Sequence, residues 1–134
     1  MIDDERNQLY KSFVQFVSYF QPKAFIMENV PNIISMGKGA VKDEIIEDFT
    51  RLGYTVTYKI LLASEYGVPQ NRRRAFFVGL KNGKTFEFPL PTTRSLITCE
   101  QAISDLPDGS IEDGGLYPVD AQSDYQRLMR ADSR

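Results

Sequence analysis

The sequence predicts an α/β fold, with helices laid against a small sheet. Two stretches repeat apolar residues at helical spacing, and three others read as strands. Their order is helix–strand–helix–strand–strand, which suits layered α/β packing.

Residues 5–20 form the first predicted helix. Leu9, Phe13, Phe16, Val17 and Phe20 recur at helical spacing and mark its apolar face. Asp3 or Asp4 is placed to cap its start, and Pro22 stops it. "KAFIMENV" reads as a short buried strand, yet Glu28 and Asn29 interrupt the apolar run before Pro31. "PNIISMGKGA" is a loop in which Gly37 and Gly39 can take dihedrals closed to other residues. A second helix spans 40–52: Val41, Ile45, Phe49 and Leu52 share a face, and Gly53 suits the cap. "YTVTYKILL" alternates as a half-buried strand, "ASEYGVPQNR" is turn-rich, and "RAFFVGL" is the third strand.

Composition shifts after about Lys84 toward Gly, Pro and Asp, as in "DLPDGSIEDGGLYP". Two domains are therefore expected: 1–90, carrying the regular elements, and a loop-rich 91–134.

With 134 residues, 42% hydrophobic, the chain can bury one modest core. Its net charge of −2 excludes a polycation that coats nucleic acid, so any such contact needs a local cluster. A single cysteine, Cys99, and no histidine exclude an internal disulfide framework and a Cys/His zinc site. No apolar run approaches the roughly 18 residues of a membrane helix, and "MIDDERNQ" is unlike a signal peptide. A reducing, cytoplasmic setting, near the nucleoid, is expected.

Two places carry chemistry. Glu28 closes a strand, where open α/β sheets bind ligands. Partial burial there would favour a neutral acid able to donate a proton; the plainer reading is a carboxylate paired with an arginine. The second place is "QNRRR", residues 70–74, a positive site in an acidic chain. Arg72 and Arg74 should share one side of a strand, where guanidinium forks grip phosphate or a base edge; the plainer reading is a solvated strand entry. "GLKNGKT" mimics a phosphate loop but is one residue short between its glycines, and is read as a turn. Cys99 precedes a short helix and reads as a buried or inert thiol.

In order along the chain, these stretches resemble a family. "FIMENVPNI" is similar to the Glu-Asn-Val motif VI of DNA (cytosine-5) methyltransferases. "YGVPQNRRRAFFVG", about 40 residues further on, resembles their Gln-x-Arg-x-Arg motif VIII. Asp4, Arg6 and Leu9 match motif V, and "AISDLPDG" and "DYQRLMR" resemble stretches common after motif VIII.

The resemblance implies the last three strands of a mixed, Rossmann-like methyltransferase sheet with flanking helices. "RAFFVGL" would lie between the other two strands, antiparallel to both. It implies methyl transfer from S-adenosylmethionine to carbon 5 of a cytosine flipped out of double-stranded DNA. Glu28 would be the acid at ring nitrogen 3, Asn29 would brace the loop, and Arg74 would hold the cytosine carbonyl oxygen. Gln70 and Arg72 would support the site or contact DNA.

The chain has no Pro-Cys pair to supply the family's nucleophile and no glycine-rich cofactor loop, and motifs IX and X are not seen. It is therefore expected to be an internal piece, covering motifs V to VIII and opening the variable, target-recognition region. Alone it should be inactive. Its expected partners are DNA, the missing N-terminal catalytic half, and a second copy through an exposed strand edge. The alternatives are a non-catalytic DNA-binding or interaction module, and a cytosine-5 methyltransferase acting on tRNA.

Overall fold

The computed structural model describes residues 9–93, 95–106 and 117–131. Within them run α1 (Leu9–Phe20), β1 (Ala24–Asn29), α2 (Ala40–Arg51), β2 (Tyr54–Leu62), β3 (Arg73–Lys81), α3 (Cys99–Ile103) and α4 (Asp124–Arg130). The expected Asp3 or Asp4 cap, and Asp4 and Arg6 of motif V, lie outside the described residues. The chain forms two compact units: Met1–Leu61 with Arg73–Leu90, and Leu62–Arg72 with Pro91–Arg134.

The first unit is a three-stranded antiparallel sheet in the order β1-β3-β2, as the resemblance implied. β1 runs antiparallel to β3 in a register that sets Phe25 opposite Gly79, Met27 opposite Phe77 and Glu28 opposite Phe76. Phe25, Met27, Ala75 and Phe77 meet Ile45 and Phe49 of α2 and Tyr10 and Val17 of α1 in one apolar core. Phe25 is its hub, with ring centroids 4.1 Å from Phe49, 5.2 Å from Tyr54 and 5.8 Å from Phe13. That hub requires Gly79: a Cβ there would lie 2.0 Å from the Phe25 ring.

Two helix–strand junctions follow from sequence. Gly53, at φ 86°, closes α2, and its N–H donates to Thr50 O at 2.9 Å. Tyr54 Oη donates to Pro22 O at 2.6 Å, pinning the turn between α1 and β1. The "GLKNGKT" turn is confined to Asn82 and Gly83, both at positive φ, because Gly79 belongs to β3.

The packed face of α1 differs from expectation. Leu9, Phe16 and Phe20 are exposed, while Tyr10 and Val17 are buried with Phe13 and Val14 packed beside them. The helix carries two apolar stripes that share Phe13 and Val17, and periodicity alone does not say which one meets the sheet. β1, expected to be buried throughout, is buried on one face only, because its alternate residue Ile26 is 65% exposed.

In the second unit, α3 and α4 each start with a reciprocal capping box. Thr98 pairs with Gln101, and Ser123 with Gln126. The two helices are joined by Gln126 Nε2 donating to Ser104 Oγ at 3.0 Å and Arg130 Nε donating to Asp105 Oδ2 at 2.9 Å. Arg130 also lies over the Tyr117 ring, 3.8 Å from its centroid. Thr92 and Thr93 donate backbone N–H groups to Glu65 O, which ties the 62–72 stretch into this unit. Cys99 is exposed, not buried, because it is the first residue of α3.

Candidate active site

β1 alternates, so Phe25 and Met27 turn into the core while Ile26 and Glu28 face the other way. Arg74 precedes Phe76, the residue opposite Glu28, by two positions on β3. It therefore shares a sheet face with Glu28, on the diagonal. The two side chains meet: Arg74 Nε donates to Glu28 Oε1 at 2.7 Å. Arg74 Nη1 donates to Arg73 O at 2.8 Å, which fixes the guanidinium plane from a second direction.

Glu28 is 45% exposed and Arg74 24%, so both can be reached from solvent. The sequence suggested a partly buried acid. The structure gives the plainer of the two readings, a half-exposed carboxylate paired with an arginine.

Asn29 ends β1. Its Oδ1 accepts the Val30 N–H at 2.8 Å, and Pro31 opens a short 3₁₀ turn, Pro31–Ile34. Ile33 N–H then donates to Val30 O at 3.2 Å, so the chain leaves the sheet directly after Glu28 is presented. The loop reaches α2 through Gly37, Lys38 and Gly39 at φ 60°, 59° and 96°, a run in which Lys38 takes a conformation that favours glycine.

Gln70 and Arg72 belong to the second unit. Gln70 N–H donates to Val68 O at 2.7 Å, Arg72 N–H to Gln70 O at 2.9 Å, and Arg72 O accepts from Ala63 at 2.9 Å. Both side chains are exposed, as is that of Arg73 at the start of β3. Of the sequence-selected residues, the fold brings Glu28, Asn29 and Arg74 together in one unit and carries Gln70 and Arg72 on the other. The bond from Arg74 to its neighbour's carbonyl has no sequence signal. Among the described residues, no cluster of His, Cys, Asp and Glu is arranged to hold a metal ion, and no helix is long and apolar enough to cross a membrane.

The model of the C-5 cytosine-specific DNA methylase family matches residues 1–132. The chain is 44% identical to the type II methyltransferase M.DdeI of Desulfomicrobium norvegicum, over 97% of this chain and 34% of that protein. It is 45% identical to M1.HphI of Haemophilus parahaemolyticus, over 78% of this chain and 28% of that one. A crystal structure described as a DNA modification methyltransferase encoded within a prophage (E. coli) superposes with a TM-score of 0.65 at 32% identity. It covers 79% of this chain and 32% of its own. The chain thus spans about a third of the length of these relatives.

Proposed function

We propose, for a chain that belongs to the C-5 cytosine-specific DNA methylase family, that Glu28 and Arg74 form the base-holding part of a DNA cytosine-5 methyltransferase site. The observation that carries this is the 2.7 Å contact between them on one sheet face. A carboxyl group and a guanidinium side by side match the adjacent nitrogen 3 and carbonyl oxygen of a cytosine edge. The carboxyl serves the nitrogen, where a proton offsets charge that builds on the ring during attack at carbon 6. The guanidinium serves the oxygen and orients the ring. Entry of a flipped base exchanges the Glu28–Arg74 contact for contacts to the base.

Asn29 holds the strand exit, so that Glu28 is presented at a fixed edge. Gln70 and Arg72 are proposed to contact the DNA backbone, and residues 91–134 to begin the variable region that reads sequence. Double-stranded DNA is the substrate, met in the nucleoid-bearing cytoplasm.

The methyl group in this family comes from S-adenosylmethionine. Here β1 leads into a turn begun by proline and β3 into the Asn82–Gly83 turn. Neither is the strand, glycine-rich loop and helix that cradles such a cofactor, so the described residues do not fit it and no step is assigned through it. Alone, the chain is expected to transfer no methyl groups.

The test is a chimera in which this chain replaces the matched third of M.DdeI. Labelled methyl transfer to cytosine in DNA is expected, falling at least about 100-fold in Glu28→Gln and Arg74→Ala, the usual scale for a lost acid or electrostatic contact. Unchanged rates in both variants would overturn the assignment. Transfer to tRNA and not to DNA would move the substrate to RNA.

A further inference from the structure

We infer that Phe76 is a positioning residue of this site: with the Ile26–Val78 pair behind it, it leaves the Glu28 carboxylate one direction to take, that of Arg74. This rests on the proposed function above, and it goes beyond it by naming what sets the two groups side by side.

β3 is apolar on both faces. Ala75 and Phe77 are fully buried and belong to the core shared with α1 and α2. Phe76 and Val78 point the other way, because successive side chains alternate. Phe76 is half-buried and is no part of that core. Its partner across the ladder is Glu28, and the partner of Val78 is Ile26. Residues directly opposite on antiparallel strands hold their Cβ atoms about 4.5–5.5 Å apart, so Phe76 and Glu28 rise from the sheet together.

That register sets the surroundings of the carboxylate. Level with it is an aromatic residue. Behind it, toward the start of β1, are Ile26 and Val78, and Val78 is buried. Ahead, two residues before Phe76, is Arg74, whose Nε reaches Glu28 Oε1 at 2.7 Å. A carboxylate that leaned back would lie over apolar side chains and give up a charged hydrogen bond. Leaning forward gives it the guanidinium.

Water competes with ion pairs at half-exposed sites, which is why such pairs are weak. An apolar ring level with Glu28 shuts water out on one side and so strengthens the contact. Arg74 has a separate hold, through Nη1 to Arg73 O at 2.8 Å, so the wall acts on the acid.

The test reads the ion pair in the full chain and the chemistry in the M.DdeI chimera. In the isotope-labelled chain, the Arg74 Nε–H proton, assigned by nuclear magnetic resonance with Arg74→Lys, should exchange slowly with water. Phe76→Thr, which keeps a strand-favouring side chain, should lose that protection, and Phe76→Leu, apolar like the original, should keep most of it. In the chimera, Phe76→Thr should lower kcat at least about tenfold while KM for DNA stays within about twofold, as for a displaced catalytic group. Ile45→Val, a core substitution that lowers stability away from the site, should leave kcat unchanged. Circular dichroism and urea midpoints check the fold of each variant, and Phe76→Gln takes the place of Phe76→Thr if the latter does not fold. Slow Arg74 exchange in the polar variant would overturn the role of Phe76. So would equal loss in Phe76→Leu, which would make it a matter of volume. If the exchange follows Phe76 but Glu28→Gln transfers methyl groups at the parent rate, the positioning stands and the proposed function falls.

Discussion

Glu28 and Arg74 stand on adjacent antiparallel strands with the arginine Nε 2.7 Å from the glutamate Oε1. Neither contributes to the apolar core, and both reach solvent. Ion pairs in such settings add up to about 1 kcal/mol to stability. Glu28→Gln and Arg74→Ala should therefore each shift the urea midpoint by no more than this corresponds to. If so, any larger loss of methyl transfer in these variants is chemical. A loss of several kcal/mol in either would mean that the pair is structural.

Gly79 is expected to be among the least replaceable residues. An added Cβ lies 2.0 Å from Phe25 Cε1 and 2.4 Å from Cζ. Phe25 cannot retreat, because Phe49, Tyr54 and Phe13 surround it. Overpacking of this kind costs about 1–3 kcal/mol, and Gly79→Ala should lie at the upper end. Phe25→Leu should cost less in the Gly79→Ala background than in the wild type, since the smaller side chain relieves the clash. Additive denaturation energies would show that the two residues do not press on each other.

Much of the first unit is legible in sequence because local signals agree there. Val41, Ile45 and Phe49 mark the buried face of α2, and Gly53 its end. The candidate site stands out in the sequence because Glu28 interrupts an apolar run and "QNRRR" sets a basic cluster at the entry to an apolar strand; the Glu28–Arg74 contact itself comes only from the register of β1 and β3. Where two signals compete, the reading fails. α1 has apolar residues on more than one face, and only packing chooses Tyr10 and Val17 over Leu9, Phe16 and Phe20. "DYQRLMR" resembles a stretch common after motif VIII and carries no helix expectation, although Ser123 and Gln126 spell the capping box of α4. A seven-residue helix offers too few turns for periodicity to speak, so the cap was the usable signal.

Tyr10 gives the first unit an alkaline limit. Burial pushes its phenol from 10.0 up to about 12, because the charged form is poorly solvated there. A folded-state value raised above the unfolded one gives stability that is whole below pH 10 and is lost as pH rises toward about 12. Tyr10→Phe should remove that component, leaving a flatter stability profile over this window in urea titrations. An unchanged profile would place the alkaline loss elsewhere. Lys11 would then be the first suspect: burial works against its charge, but its hydrogen bonds to Asp48 and Glu44 outweigh this and raise it.

Asp105 and Arg130 should decide whether the second unit holds together. Asp105 is 3% exposed and receives Arg130 Nε at 2.9 Å, joining the end of α3 to the end of α4. Removing the carboxylate leaves a guanidinium, itself 19% exposed, without its acid in a largely dry setting. Breaking buried pairs in this way costs about 3–5 kcal/mol. Asp105→Ala should therefore speed amide exchange through Cys99–Ile103 and Asp124–Arg130. β1 and β3, which belong to the other unit, should keep their protection. Replacing both partners, Asp105→Leu with Arg130→Met, should restore part of the loss, because no charge is then stranded. If the double variant is no better than Asp105→Ala, then shape, including the Arg130 stack on Tyr117, matters more than charge.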